Sequence, residues 1–293
     1  MRNSWNNNYQ KKQKQNMNKT LHTTLNVIAY IIVFFLIQAV VGVAFGIVSL
    51  WHDGQSWAAI WPSLFKGGLH MSTKLTAAYM ALSSLLTLLL FARKRWSPVS
   101  RVWLASHPWT TLAWVVMLAL GTILPSEWTV EKFQLTMPEA ATQLFESIMR
   151  EPLGYLAIGI LGPVAEEMVF RGAVLRSLLK LFPAKAHWWP ILISAVLFGV
   201  VHGNMAQFVH ALPIGLLLGW MYYRTGSIIP GLLFHWVNNT MAYVMFNLMP
   251  QMNDGQLIDL FHGDDRTMWM GLGFSLCILL PSLFQLNMRM KKG

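Results

Sequence analysis

The sequence predicts an all-α fold: a polytopic membrane helix bundle of about eight transmembrane helices with both termini in the cytoplasm. Composition is the first reason, because the 293 residues are 55% hydrophobic and only 12% charged, whereas soluble domains carry roughly 25% charged residues. The second reason is that uncharged apolar runs recur along the chain, and roughly 20 such residues cross a bilayer as a helix. The third is that Lys and Arg gather at alternate ends of these runs.

The chain divides into a polar start and a long apolar remainder. Residues 1–20 are rich in Asn, Gln and Lys, which predicts a disordered cytoplasmic tail, and residues 21–293 are predicted to form a single transmembrane domain. The connection at residues 125–152 carries five glutamates and predicts a short amphipathic piece. Glycines four residues apart, as in GLLLG, allow helices to pack closely in lipid. Eight apolar runs are the predicted spans: Leu25–Leu50, Lys74–Phe91, Trp109–Leu124, Leu153–Leu181, Trp188–His202, Met205–Tyr223, Ile228–Leu248 and Met268–Leu286.

The distribution of charge supports this topology. With the N-terminus inside, sixteen of the 22 Lys and Arg residues fall on the inner side and five on the outer side, and Arg171 lies within a span. Ten of the 12 acidic residues fall in outer loops or at their edges, and the other two are Glu166 and Glu167. The net charge of +10 therefore reflects membrane topology, and we expect a lipid bilayer and no nucleic acid as a partner.

Two glutamates and an arginine interrupt the fourth span, in the stretch GPVAEEMVFRGAVL. Ionised side chains at bilayer depth cost several kcal/mol and are a functional-site hypothesis. Glu167 and Arg171 lie four residues apart on one helical face, so Arg171 is the expected counter-ion of Glu167. Glu166 points about 100° away around the helix and has no such partner. It must therefore face water, a metal or polar groups of other helices.

Further polar side chains follow in the next three spans. FGVVHGN places Phe198 and His202 one helical turn apart, and FHWVNN does the same for His235 and Asn239. A carboxylate, two imidazoles and an amide can therefore converge inside the bundle, which supplies a base for water and donors for an oxyanion. The alternative is that each group only makes an interhelical hydrogen bond. His210 shares its face with no second polar residue, and we interpret it as structural.

Signatures of other intramembrane hydrolases are absent from the sequence, which has no HExxH, no GxGD and no serine nucleophile turn paired with histidine. Two histidines and a glutamate are the ligands of some zinc sites, so zinc held by Glu166, His202 and His235 stays open, although we favour a site without a metal. Cys277 is the single cysteine, which excludes an intrachain disulfide and a thiolate metal cluster.

These motifs resemble those of the CAAX-protease and bacteriocin-processing (CPBP, or Abi) family of intramembrane endopeptidases. The family carries, in this order, Glu-Glu-x-x-x-Arg, Phe-x-x-x-His and His-x-x-x-Asn, and all three occur here without substitution. The intervening GLLLGWMYYRTGSIIPGLLFHWVNN, with its Thr-Gly-Ser turn, is also similar to the family. The likeness covers residues 162–239, about a quarter of the chain.

The resemblance implies a role for each motif residue. Glu166 with His202 would activate the water, and His235 with Asn239 would stabilise the oxyanion. The supporting residues would be Glu167, Arg171 and Phe198, the first two holding the helix in place.

The expected protein is therefore an intramembrane endopeptidase whose catalytic core spans residues 153–249. Its substrate would be a peptide or membrane protein, cut in peptide maturation, bacteriocin self-immunity or regulation. The expected location is a bacterial plasma membrane, since no organelle address is present. The main alternative is a non-enzymatic membrane protein, either an immunity factor or a scaffold. Neither the oligomeric state nor the cleavage site follows from the sequence.

Overall fold

The structure is a computed structural model that describes residues 2–65, 71–98, 101–249 and 256–290. All regular structure in this part of the chain is helical, in agreement with the predicted class. The α-helices are α1 (Arg2–His52), α2 (Trp57–Phe65), α3 (Thr73–Arg93), α4 (Arg101–Ala105), α5 (Trp109–Lys132), α6 (Glu139–Met149), α7 (Pro152–Leu178), α8 (Trp188–Val200), α9 (Met205–Thr225), α10 (Ile229–Leu248) and α11 (Asp265–Arg289), with short 3₁₀ turns at Ala184–Ala186 and Leu257–Phe261.

Six of the described helices are long and apolar enough to cross a membrane: α1 from Met17 onward, α3, α5, α7, α9 and α11. The sequence predicted eight spans, and the difference lies in α8 and α10. Helix α8 has only 13 residues, which span about 20 Å at 1.5 Å per residue. Helix α10 has 20 residues but carries His235, three asparagines and a threonine, which lower its hydropathy.

The described backbone is helical through residues 2–20, where the sequence predicted a disordered tail. The physical reason is that this segment contains no glycine or proline to end the helix that begins in the first span. The connection at residues 125–152 also differs in part. Helix α5 continues through Pro125 to Lys132, and the predicted amphipathic piece is α6, which buries Ile148 and Met149.

Helix α7 carries the two glutamates and lies at the centre of the bundle. It contacts α1 and α3 on one side and α8, α9 and α10 on the other. Two stretches, Tyr155–Leu161 and Met168–Leu175, have the wider π-helical turn, and every residue of the second stretch is buried. Single π turns inside α-helices are frequent at functional sites because they redirect side chains and free backbone groups.

The pair α8 and α9 packs as a tight helical hairpin. A Cβ on Gly215 would lie 3.0 Å from the Ala195 Cβ, and one on Gly219 would lie 3.0 Å from the Ile191 Cγ2. These are the glycines of GLLLG, so the close approach that their spacing predicts is present. The hairpin thereby presses α8 against α7 and brings Phe198 next to Phe170.

Candidate active site

The ion pair between Glu167 and Arg171 is fully buried inside the bundle. Arg171 Nη1 donates to Glu167 Oε1 at 2.7 Å. The Arg171 side chain is 1% exposed and the Glu167 side chain is 0% exposed. The guanidinium also donates from Nη2 to the Gly215 carbonyl of α9 at 3.3 Å, and it lies 4.3 Å above the Phe198 ring of α8. This one side chain therefore joins α7 to two other helices.

Glu166 is the glutamate that the cavity reaches. Its side chain is 27% exposed, whereas Glu167 is inaccessible. Its Oε2 lies 3.7 Å from Nε2 of His235 on α10. Glu166 makes no direct hydrogen bond to His202 among the described residues, so its nearest imidazole is the third-motif histidine and not the second-motif one.

His235 lies between both carboxylates. Its Nδ1 is 3.3 Å from Glu167 Oε1, and its Nε2 faces Glu166 on the opposite edge of the ring. The ring is nearly buried, with 7% of the side chain exposed. When His235 carries both ring protons, it and Arg171 balance the charges of the two glutamates, and the cluster has no net charge.

His202 follows α8, which ends at Val200. Helix ends leave carbonyl groups without backbone donors, and the His202 Nδ1 lies 2.8 Å from the Phe198 carbonyl oxygen. A carbonyl can only accept, so Nδ1 carries the proton of this bond, and in the neutral ring Nε2 has the free lone pair. His202 is therefore held as a base by the end of its own helix.

The Phe198 ring positions both histidines. It meets the His202 ring edge-on, with centroids 5.1 Å apart, and the His235 ring edge-on at 5.8 Å. Phe198 is only 2% exposed and rests against Phe170 of α7. The four-residue spacing of Phe-x-x-x-His thus has a physical basis, because one residue supplies both a packing surface and a carbonyl to the histidine that follows it.

Asn239 lies one turn beyond His235 on α10 and is partly buried. Its Nδ2 donates to the Ile158 carbonyl of α7 at 3.0 Å. A primary amide has two N–H donors, so this bond leaves one donor of Asn239 for another acceptor.

All four residues with a predicted catalytic role line one cavity of about 880 Å³. The structure thus brings Glu166, His202, His235 and Asn239 together, as the argument from burial and helical spacing expected. The cavity extends from these residues to the ends of α5 and α6. Further polar residues, to which the sequence assigned no catalytic role, also line it: Gln38, Glu127, Glu131, Glu146, Gln207, His210 and Asn238.

His210 illustrates a limit of considering one helix at a time. No polar neighbour was expected for it on its own face, but its Nδ1 lies 2.8 Å from Ser126 Oγ on α5. It lines the same cavity as the motif histidines. Its partner comes from a helix 84 residues away, and no pattern within α9 could have found it.

The described residues do not provide a ready metal site. No three His, Cys, Asp or Glu side chains within residues 2–65, 71–98, 101–249 and 256–290 are placed to hold an ion together. Both nitrogens of His235 face carboxylate oxygens, and Nδ1 of His202 bonds to a carbonyl. Among the described residues, Glu166, His202 and His235 are therefore not grouped around one point as the ligands of a zinc ion would be.

Comparison with known proteins identifies the central third of the chain. Residues 149–241 match the family model described as type II CAAX prenyl endopeptidase Rce1-like. Over these residues, about a third of the chain, the protein is similar to the Rce1-like CAAX endopeptidases. The Rce1-like region contains every motif residue from Glu166 to Asn239, and α1 to α5 and α11 lie outside it.

Two curated bacterial proteins are similar to part of the chain. "Putative membrane peptidase YdiL" of Bacillus subtilis is 27% identical over 107 residues, which are 36% of this chain and 43% of that protein. "UPF0177 protein YaiF" of Lactococcus lactis is 23% identical over 150 residues, which are 46% of this chain and 66% of that protein. The chain thus spans less than two thirds of the length of either relative. No solved structure matches it with comparable significance.

Proposed function

We propose that the protein is an intramembrane endopeptidase that hydrolyses a peptide bond of a peptide or membrane-protein substrate. The observation that carries the proposal is the shared cavity, into which three helical segments bring one accessible carboxylate, two imidazoles and an amide. The match of residues 149–241 to the model of a peptidase family supports it, as does the name of the Bacillus relative. The transmembrane domain of residues 21–293 would act as one unit, with its catalytic core at residues 153–249.

In this proposal the base is divided between Glu166 and His202. Nε2 of His202 has a free lone pair, because Nδ1 donates to the Phe198 carbonyl. A water between the two residues would lose a proton to one of them and attack the carbonyl carbon of the substrate. The same proton would then pass to the leaving amine nitrogen when the C–N bond breaks. Direct contact between Glu166 and His202 is not needed for this step, because each would act on the water and not on the other.

The oxyanion would be stabilised by His235 and Asn239. His235 would carry both ring protons, with Nδ1–H donating to Glu167 and Nε2–H donating to the oxyanion. The amide of Asn239 would use the N–H that the Ile158 carbonyl leaves free. Donors fixed in place before the reaction stabilise the developing charge most effectively, since they need no reorganisation. No step in this mechanism passes through a metal ion.

The proposal includes eight helices at membrane depth and both termini in the cytoplasm of a bacterial plasma membrane. The concentration of Lys and Arg in alternate loops supports this arrangement, and both named relatives are bacterial. In a variant with Cys277→Ala, single cysteines at Ser4 and Ser106 should react with impermeant thiol reagents only after the cells are opened. Labelling of either cysteine in intact cells would contradict the proposed cytoplasmic location of that position.

The proposed reaction is tested by comparing peptides from membranes that contain the wild type or Glu166→Gln. We expect a set of cleavage products that disappears in Glu166→Gln while the protein remains inserted. Glu139→Gln is the matched control, because Glu139 lies on α6 outside the cavity lining and should leave the products unchanged. If a cellular phenotype of the protein survives Glu166→Gln, a scaffold or immunity role replaces hydrolysis.

A further inference from the structure

The backbone of α7 contains a carbonyl that its own helix cannot satisfy. In a π-helical turn a carbonyl accepts from the N–H five positions later, and Gly162 N–H donates to the Ala157 carbonyl in this way at the end of the stretch Tyr155–Leu161. The corresponding donor for Ile158 would be residue 163, which is Pro163 and has no N–H. The α-helical alternative, residue 162, is already used by Ala157. The Ile158 carbonyl is therefore left over.

Asn239 occupies the place of the missing N–H. Its Nδ2 donates to the Ile158 carbonyl at 3.0 Å, across the interface between α7 and α10. In a membrane, backbone groups freed by proline must find a partner within the protein, because lipid offers none. The bond therefore fixes the amide plane of Asn239 and the direction of its second N–H. Asn239 lines the same cavity as Glu166.

A second contact fixes the same two segments on the other side of Asn239. The Tyr155 hydroxyl lies 3.0 Å from Thr240 Oγ1 and accepts from Trp236 Nε1 at 3.2 Å. Its ring also packs against Tyr243, with centroids 4.9 Å apart. Tyr155 begins the π-helical stretch, so the stretch is attached to α10 at Tyr155 and again at Ile158.

We infer that Pro163 and Tyr155 are positioning residues for Asn239: Pro163 reserves the Ile158 carbonyl for the asparagine amide, and Tyr155 holds α10 against it. The inference rests on the proposed function for its catalytic consequence, because the aimed N–H matters for hydrolysis only if Asn239 stabilises an oxyanion. The hydrogen-bond arrangement itself has a separate consequence for stability. The two consequences can be measured independently.

Stability is measured first, with a double-mutant cycle of Pro163→Ala and Asn239→Ala in the full-length protein in detergent. The Pro163→Ala substitution supplies an N–H that can bond to the Ile158 carbonyl. We therefore expect Asn239→Ala to lower the melting temperature less in the Pro163→Ala background than in the wild type. The two losses should differ by about 2 to 4 °C. Pro281→Ala is the matched control, because Pro281 is an exposed proline inside α11 and should show no coupling. Equal losses in both backgrounds overturn the inference.

Turnover of a cleaved peptide is measured second. We expect Pro163→Ala and Tyr155→Phe each to lower kcat by about 10- to 100-fold with KM unchanged, as displacement of a catalytic group does. In an Asn239→Ala background neither should lower kcat further. The positioning role is overturned if the substitutions change KM alone. It is also overturned if they lower kcat as much in the Asn239→Ala background as in the wild type. Should Pro163→Ala not fold, Tyr155→Phe still decides it. Coupled melting without any peptide cleavage would instead retain the hydrogen-bond arrangement and refute the proposed hydrolysis.

Discussion

Removing the guanidinium from Arg171 tests whether the buried ion pair holds the site together. Arg171→Ala deletes the 2.7 Å bond to Glu167, the bond to the Gly215 carbonyl and the cation above Phe198. The Glu167 carboxylate, which is 0% exposed, would remain buried, and His235 at 3.3 Å would be the one titratable partner left to it among the described residues. Breaking a buried pair in this way costs about 3 to 5 kcal/mol, because an uncompensated charge stays behind.

The expected loss in the free energy of unfolding is large enough to measure by thermal unfolding. A destabilisation of this size lowers the melting temperature of a chain of this length by on the order of 10 °C, so thermal unfolding of the detergent-purified protein measures it. Arg171→Lys should lose less, since an ammonium still neutralises Glu167, although it lacks the planar fork that reaches Gly215. Replacing both residues, as Glu167→Leu with Arg171→Met, should recover part of the stability.

The double replacement also separates stability from activity. It restores an apolar interior but removes the acceptor for His235 Nδ1, so the protein should fold and yet hydrolyse poorly. Equal melting temperatures for Arg171→Ala, Arg171→Lys and the double variant would refute the structural role of the ion pair. Such a result would mean that the pair adds nothing to the packing of α7.

Three further outcomes are expected. Gly231→Ala places a Cβ 3.0 Å from Glu167 Oε2 and should destabilise the fold by about 1 to 3 kcal/mol. Gly273→Ala is the control, because its Cβ meets nothing within 4 Å and should not lower stability. Equal melting temperatures of the two variants would contradict this. Asn239→Ala should lower kcat by about 100- to 1,000-fold with little change in KM, and a pure KM effect would move it from oxyanion to substrate binding. Activity should persist in excess chelator, and stoichiometric zinc lost together with activity would overturn the metal-free mechanism.

Local spacing predicted the contacts made within one helix. The four-residue interval from Glu167 to Arg171 was enough to predict their ion pair, because i and i+4 side chains on a helix face each other. By the same reasoning Glu166 was left unpaired, and it is the glutamate that the cavity reaches. These inferences needed only helical geometry and the cost of charge in lipid.

Contacts between helices could not be predicted in this way. The family resemblance implied that Glu166 acts with His202, but the direct neighbour of Glu166 is His235, since the crossing of α7 and α10 decides which ring it meets. The bond from Asn239 to Ile158 depends on a π-helical turn, and periodicity in the sequence does not distinguish that turn from an α-helix. Pro163, which has no N–H, is a local feature of the sequence that leaves a carbonyl of α7 without its helical donor.

The end of α8 shows how the two motif histidines reach one cavity. Counting along the predicted spans puts His202 near the outer end of its helix and His235 nearer the inner third of its own. Helix α8 instead ends at Val200, and the chain turns at Gly203, with φ of 76°, into Asn204, the N-cap of α9. Glycine and asparagine after His202 are turn and cap signals in the sequence itself. An early end to α8 both leaves the Phe198 carbonyl open for His202 and stops that histidine inside the bundle, beside the cavity it shares with His235.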